Sequence, residues 1–404
     1  MIPVDEAKRL ILDDVDRLDV IEVGLDEARG RVLAEEVHAD RDFPPTDRSA
    51  MDGFAVRSED IPRTGAMLEI ADEIRAGQTV GGITVGAGQA VRIMTGAIIP
   101  PGADAVVMVE VAESVPGNRV KIPGPPEPGQ HIRRRAEDLR AGERVIRRGA
   151  PIDAAEIATL TSVGHTRVRV HRPPVVRVLS TGDEIIDPED RPDDHQIRNS
   201  NAWSLLAQLA EMGLAGENLG VAPDSRDGLA AALERGLEAD LLLITGGVSM
   251  GEYDLVGEAL TAAGVRLLFH KVAIRPGKPI LVGRRDDCLV VGLPGNPVST
   301  FTGFAVFIAP ALRKMMGYAS WDNLEVRATL AERLRRKPGR TGYHLARVAY
   351  EDRGFVAMPV RNTGSGDVLS MVRANAFVIS PAGAHSLDPG TEVPVLLWRD
   401  FHLR

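Results

Sequence analysis

Residues 288–312 read CLVVGLPGNPVSTFTGFAVFIAPAL, 25 positions without a charged side chain. A run of that length is long enough to cross a bilayer, but its content argues against one. Pro294, Gly295, Asn296 and Pro297 interrupt it, and the remainder carries Ser299, Thr300, Thr302 and Pro310 before Arg313 ends it. The stretch therefore reads as a buried strand (288–293), a tight turn, and a buried helix (298–316). No membrane span is expected.

The same unit recurs upstream. Apolar strands are expected at 175–180 (VVRVLS), 240–245 (DLLLIT) and 278–283 (KPILVG), with helices at 200–212 behind an Asn199 or Ser200 cap, at 225–237 and at 253–263. Strands alternating with helices predict an α/β domain with a mostly parallel sheet, here over residues 174–319. Around it the pattern changes. Residues 1–40 carry apolar positions at helical spacing, among them Leu10, Ile11, Val15, Leu18, Val32 and Leu33, and residues 142–173 return to a helix before the Pro173-Pro174 hinge. Between them, 41–141 is turn-rich and strand-like. The expected organisation is a split helical segment (1–40 plus 142–173), an inserted β-rich domain (41–141), the α/β domain, and a C-terminal β domain (320–404).

Composition agrees with several domains, because 404 residues exceed the roughly 250–300 that one core supports. Hydrophobic residues are 44% and charged residues 26%, which is globular composition. The 41 glycines and 27 prolines punctuate the chain heavily. A net charge of −9 has the wrong sign for coating nucleic acid, and 4% aromatics supply few stacking platforms. One cysteine, Cys288, allows neither an internal disulfide nor a Cys-rich zinc site, and the nine histidines lack metal-binding spacing. The acidic start MIPVDEAKRLILDD lacks a basic signal region. A cytoplasmic protein is expected.

Glycine-containing loops adjoin the α/β strands: STGDE (180–184), TGGVSMGEYD (245–254), RPGKP (275–279) and LPGNP (293–297). Open α/β sheets bind ligands at strand carboxyl ends, where backbone N–H groups favour anions. Gly246, Gly247, Ser249, Gly295 and Asn296 are thereby candidate ligand contacts. The same loops carry Asp183, Glu184, Asp224, Glu252 and Asp254. Carboxylates beside an anion cradle imply a divalent cation between them, and Mg²⁺ held by carboxylates and substrate phosphates is the common solution. Lys271, Arg275 and Lys278 supply positive charge for phosphates or oxyanions. Arg133, Arg134 and Arg135 followed by Glu137 and Asp138 form a phosphate clamp or, the preferred reading, an exposed charged loop. Asp52 is either a turn residue before Gly53 or an acid aimed at a site. No G-x-G-x-x-G or Walker A pattern is present.

Taken in order, PPTDRSAMDGFAVR, RIMTGAIIPPGADAVVMVE, HIRRRAEDLRAGERV, VLSTGDEI, QIRNSNAWSLLAQL, ITGGVSMGEYD, KVAIRPGKPILVG and GLPGNPVS resemble the MoeA family, the molybdopterin molybdenumtransferases also represented by the gephyrin E domain. The resemblance implies a homodimer of four-domain subunits that converts adenylylated molybdopterin and molybdate, with Mg²⁺, into molybdenum cofactor and AMP. Metal held by the substrate's own dithiolene sulfurs would explain why one cysteine suffices. Family positions fall on Asp52 of SAMDG, Thr95 of MTGA, Asp138 of RAED, Glu184 of TGDE, Asp224, Asp254 of GEYD, Lys271, Pro294 and Pro297 of PGNP, and Arg347 and Ser365 near the C-terminus. The roles so implied are chemistry for Asp52, Asp138, Glu184 and Asp254, metal binding for Glu184, Asp224 and Asp254, and substrate contact for the rest together with Lys278. Arg275 stands where many members have Lys, keeping charge but changing its shape. In such dimers Asp52 and Asp138 would face the partner's α/β cleft. Other molybdenum-cofactor biosynthesis proteins are possible partners. Two other readings compete: a non-catalytic molybdopterin-binding scaffold, and a molybdopterin adenylyltransferase sharing the α/β domain.

Overall fold

The computed structural model describes residues 1–247, 255–351 and 354–399. Two compact units emerge: Met1–Glu35, Arg148–Asp153 and Arg167–Arg404 form the first, and Glu36–Arg147 with Ala154–Thr166 form the second.

The α/β part of the first unit includes the strands β1 (Val176–Thr181), β2 (Gly216–Ala222), β3 (Leu241–Thr245), β4 (Arg266–His270), β5 (Ile274–Arg275), β6 (Leu281–Arg285) and β7 (Cys288–Leu293). Six form one sheet in the order β2-β1-β3-β7-β6-β4. β2, β1, β3 and β7 are mutually parallel, and β6 alone is reversed. The mostly parallel sheet expected from the sequence is thus present, with two edge strands that the pattern did not reveal. β2 (GENLGVA) is glycine-containing and mostly solvent-facing, and β4 (RLLFH) is half exposed. Neither offers the continuous apolar run of a strand buried on both faces. The strand expected from 278 starts instead at Leu281, because the Lys278 carbonyl accepts N–H groups of Val272 and Ile280 in a tight loop.

Alternation sorts the central strands into two cores. Val176, Val178, Leu241, Leu243, Leu289 and Val291 face one, while Leu179, Leu242, Ile244 and Val290 face the other. Helix α1 (Ser200–Glu211) covers the first core through Ala202, Leu205 and Leu209, with Asn199 as cap. Helices α2 (Arg226–Gly236) and α3 (Leu255–Ala262) cover the second. The uncharged stretch behaves as its content indicated: β7, a turn, α4 (Pro297–Gly303), a π-helical turn (Phe304–Ile308) and α5 (Ala309–Met315). Pro297 stands in the first turn of α4 behind the extended Asn296, where a missing N–H breaks no helical bond, and Pro310 follows directly on the π-helical turn. Phe304, Val306, Phe307, Ile308 and Leu312 are buried, each stabilising by about 1.5–3 kcal/mol. No helix among the described residues is long and apolar enough to cross a membrane. Burial pushes the Cys288 thiol up to about 12, so it is inert core.

Strands β8 (Glu325–Leu330), β9 (Thr341–Glu351), β10 (Gly354–Pro359), β11 (Ala376–Ser380) and β12 (Glu392–Leu397) complete the unit. Their order β9-β10-β8-β12-β11 closes through β9–β11 pairing into a small barrel around Ala328, Leu330, Ala346, Val348, Val378, Val393 and Val395. β5 joins its edge, pairing Ile274 with Thr341 and Arg275 with Gly342. At the N-terminus the helical spacing yields a helix at Val4–Asp13 and one turn at Leu25–Ala28. Val32 and Leu33 instead form bridges to Pro151 and Val170.

The second unit carries a six-stranded sheet. It runs Ala105–Met108, Gly53–Val56, Gln89–Ile93, Ala66–Ile74, Arg119–Ile122 and Glu113–Val115. Its helix is Ala154–Ser162.

Candidate functional site

Because β6 alone is reversed, the carboxyl ends of β1, β3, β4 and β7 share one edge, and the loop between β4 and β6 lies there as well. The RPGKP loop is therefore at the ligand edge even though the strand it follows was not foreseen. On that edge Ser180 pairs with Thr245, and Thr245 with Leu293. The Ser180 hydroxyl donates to Asn199 Oδ1 at 3.1 Å and lies 3.2 Å from Thr245 Oγ1. These buried hydroxyls fix strand ends to the start of α1.

Three loops meet above them. Gly246 and Gly247 have φ of +91° and +63°, and a Cβ on Gly246 would stand 2.3 Å from the Thr181 carbonyl oxygen. Only glycine fits so close an approach at positive φ. Gly295 abuts Gly246 in turn, since a Cβ on Gly295 would stand 3.9 Å from the Gly246 Cα. The PGNP turn is held at each residue: Pro294 O accepts from Thr300 Oγ1 at 2.5 Å, Gly295 O accepts from Asn201 Nδ2 at 2.8 Å, and Asn296 Nδ2 donates to Ser365 Oγ at 3.0 Å. Ser365 O also accepts the Val298 N–H. Ser365 and the PGNP residues thus share one place, with Pro297 opening α4.

On the β1–β2 side the edge is acidic. The Glu184 carboxylate folds back over Gly182, 2.6 Å from where a Cβ would be, and Asp183 Oδ1 accepts the Asp224 N–H at 3.1 Å. Partial burial, then the charges of Asp183 and Glu184, hold the Asp224 carboxyl above the usual carboxylate range. None of the three has an ion-pair partner among the described residues. Unneutralised carboxylates of this kind suit a hard divalent cation, though no three acid or histidine side chains among the described residues are gathered into a metal cage. Asp254, Glu252 and Ser249 lie outside the described residues.

On the other side the edge is basic. A cavity of about 540 Å³ opens between the RPGKP and PGNP loops and the barrel, and Arg275, Lys278, Arg335, Arg336 and Arg340 all line it. No carboxylate among the described residues lines it. Arg336 is braced by Ser380 Oγ and by the carbonyls of Pro381 and Arg340, and His344 Nε2 lies 2.9 Å from the same Ser380 Oγ. Burial, then Arg275, lowers the Arg336 pKa, as expected of a cation without a counter-charge. Sequence reasoning found Arg275 and Lys278 but missed Arg335, Arg336, Arg340 and His344. The basic run RLRRKPGR before a glycine turn was the available signal. Lys271, at φ +81°, is tied by its backbone to Ile280 and Ile2 and does not line the cavity. Arg347 is exposed on β9 opposite Met358 and does not line it either.

Gly342 packs under the brace, where a Cβ would stand 2.4 Å from His344 Nε2 and 2.5 Å from Ser380 Oγ. Gly342→Ala is expected to cost about 1–3 kcal/mol of stability by overpacking and to weaken anion binding several-fold by moving Arg336. Thermal melts and sulfate titration check both.

In the second unit Asp52 Oδ1 accepts both the N–H and the hydroxyl of Thr95, at 2.7 and 2.8 Å. Those two bonds hold its carboxyl below the usual range, so Asp52 is an anion at neutral pH. The family positions Asp52 and Thr95 are thus one hydrogen-bonded pair. Asp138 pairs with Arg133, Asp47 with Arg134, and Asp42 with Arg135. The arginine triad is neutralised one for one, which is the charged loop rather than a clamp.

An α/β sheet with an acidic edge and a basic cavity at its strand carboxyl ends, followed by a small barrel, defines a multidomain α/β protein built to take an anionic ligand. Residues 2–164 match the family described as "MoeA N-terminal region (domain I and II)", 177–314 the "Probable molybdopterin binding domain", and 327–398 the "MoeA C-terminal region (domain IV)". The chain is 35% identical over 407 residues to a molybdopterin molybdenumtransferase of Bacillus subtilis (99% of this chain, 94% of that one). It is 34% identical over 404 residues to one of Staphylococcus aureus strain Mu50 (98% and 95%). A crystal structure of the molybdopterin biosynthesis MoeA protein from Pyrococcus horikoshii superposes with TM-score 0.84 at 30% identity, covering 99% of this chain and 100% of that one. The chain belongs to the MoeA family, the molybdopterin molybdenumtransferases. It is an enzyme of molybdenum cofactor biosynthesis that inserts molybdenum into molybdopterin.

Proposed function

We propose that the substrate is adenylylated molybdopterin, that molybdate is the metal donor, and that insertion is accompanied by Mg²⁺-dependent release of AMP. The observation that carries this reading is the contiguity of the loops: STGDE, TGG and PGNP touch in sequence, with unpaired carboxylates at one end and the basic cavity at the other. An anhydride with its cation suits the acidic end, and a tetrahedral oxyanion suits the basic end.

Glu184 and Asp224, with Asp254, would hold Mg²⁺, whose contribution is to neutralise phosphate charge. Arg275, Lys278, Arg336 and Arg340 retain the molybdate by charge-assisted hydrogen bonds, and Gly246, Gly247, Gly295 and Asn296 bring backbone and amide groups against the substrate phosphates. Water cleaves the anhydride, AMP leaves and the pterin keeps its own phosphate; molybdate gives up one oxo ligand as water, taking the two thiol protons, as two bonds form from molybdenum to the dithiolene sulfurs with no change of oxidation state. Asp52, fixed by Thr95, and Asp138 act at the site of a partner subunit in a homodimer. The protein works in the cytoplasm beside the enzymes that make its substrate.

Supplying adenylylated molybdopterin, molybdate and Mg²⁺ is expected to release AMP in proportion to cofactor formed, and EDTA is expected to stop it. Tight pterin binding without AMP release would replace this reading with a scaffold. ATP-dependent attachment of AMP to molybdopterin would replace it with an adenylyltransferase.

A further inference from the structure

The basic cavity is lined by one imidazole, that of His344. His344 sits on β9 opposite Val378, and its Nε2 lies 2.9 Å from Ser380 Oγ, the same hydroxyl that braces Arg336. The charged groups facing it are Arg275 and Lys278 from the loop after β4, and Arg335, Arg336 and Arg340 from the segment before β9. β11 presents the neutral Ser380, and the 362–365 loop presents the neutral Asn362 and Ser365. Every charge around the ring is positive.

We propose that His344 is the proton-coupled positioning residue of this cavity: entry of an oxyanion is accompanied by uptake of one proton on its imidazole, so oxyanion binding tightens as the pH falls. The inference rests on the oxyanion reading of the cavity given above. With the cavity free of anion, burial, then Arg336 and Arg275, push the imidazole down to about 4, so it is neutral at physiological pH. A bound dianion offsets the positive charge that disfavours protonation and raises the pKa of the ring. Between the free and bound values each anion carries in a proton. Affinity therefore rises as pH falls through the bound value and levels off below about 4. The charged ring keeps its place against Ser380, so the guanidinium that Ser380 orients stays aimed while the cavity gains a cation.

Sulfate is the suitable probe, because it stays a dianion throughout. Isothermal titration of the whole protein with sulfate between pH 5 and 8, in two buffers of different ionisation enthalpy, is expected to give affinity rising by up to about tenfold per pH unit at the acid end. The heats are expected to report uptake of one proton there. His344→Gln, which retains a hydrogen-bonding group toward Ser380, is expected to bind sulfate with no pH slope and no buffer-dependent heat. A flat wild-type profile overturns the proton coupling and leaves the oxyanion reading standing, and so does a slope that survives in H344Q. Failure of both sulfate and molybdate to bind at any pH overturns the two together.

Discussion

Replacing Asp240 by alanine is expected to lower the unfolding free energy of the first unit by about 3 kcal/mol at pH 7, the low end of the range for breaking a buried ion pair. Asp240 is 8% exposed and takes both guanidinium nitrogens of Arg172, at 2.7 and 2.8 Å, together with the Val175 N–H at 2.7 Å. Its own backbone N–H donates to Val175 O, and its carbonyl accepts from Leu289. One residue therefore ties the Pro173-Pro174 hinge to the starts of β1, β3 and β7. Removing the carboxylate leaves Arg172 and the Val175 amide without an acceptor where water reaches poorly. The low end applies because the Arg172 side chain retains 31% of its exposure.

The pH dependence gives this prediction a second edge. Burial alone would raise the Asp240 pKa, but the Arg172 bonds and the Val175 N–H outweigh it and hold the carboxyl below its ordinary 3.8. A carboxylate depressed in the folded state stabilises above its unfolded pKa, and the contribution is lost as pH falls through the folded value. The gap between wild type and Asp240→Ala should thus be full at neutral pH and shrink below about pH 4. Urea unfolding followed at both pH values measures it. An unchanged gap at acid pH would mean that Asp240 acts through packing rather than charge.

The parts of this molecule that were legible in advance are those where burial leaves a periodic trace. β1, β3 and β7 lie inside the sheet with both faces covered, so Leu241–Thr245 and Cys288–Leu293 are nearly continuous apolar runs, and Val176–Thr181 keeps Val176, Val178 and Leu179 buried around Arg177. β2 and β4 are edges, and their composition reflects solvent more than sheet. The site divides in the same way. Loop residues such as Gly246, Asn296 and Glu184 announce themselves by following apolar strands. His344 comes from β9 and Arg335, Arg336 and Arg340 from the segment before it, brought to the cavity by the two-residue pairing of β5 with β9. No local spacing encodes such a meeting. The partners of the arginine triad were hidden for the same reason: Asp42 and Asp47 are distant in sequence from Arg135 and Arg134.

The acidic edge carries the other large effect. Glu184→Gln is expected to lower AMP release by about 10²–10³-fold, the scale of losing one preorganised electrostatic group, while the fold is retained. Glu184 packs over Gly182 without an ionic partner among the described residues, so its removal breaks no structural bond. Asp224→Asn separates stability from function in a way that a structural acid would not. Partial burial, then the like charges of Asp183 and Glu184, raises the Asp224 pKa. A carboxylate raised in the folded state costs stability as pH rises, because the folded protein holds its proton more tightly than the unfolded chain. Without metal and substrate the Asp224→Asn protein is therefore expected to melt higher than wild type at pH 7, with the difference closing toward pH 3. Its AMP release should nevertheless fall, and the Mg²⁺ concentration for half-maximal activity should rise. Differential scanning calorimetry with EDTA, beside AMP assays across a Mg²⁺ series, reads both. A variant that melts lower than wild type would make Asp224 a structural turn residue, whereas one that gains stability and loses activity marks charge kept for the reaction at the expense of the fold.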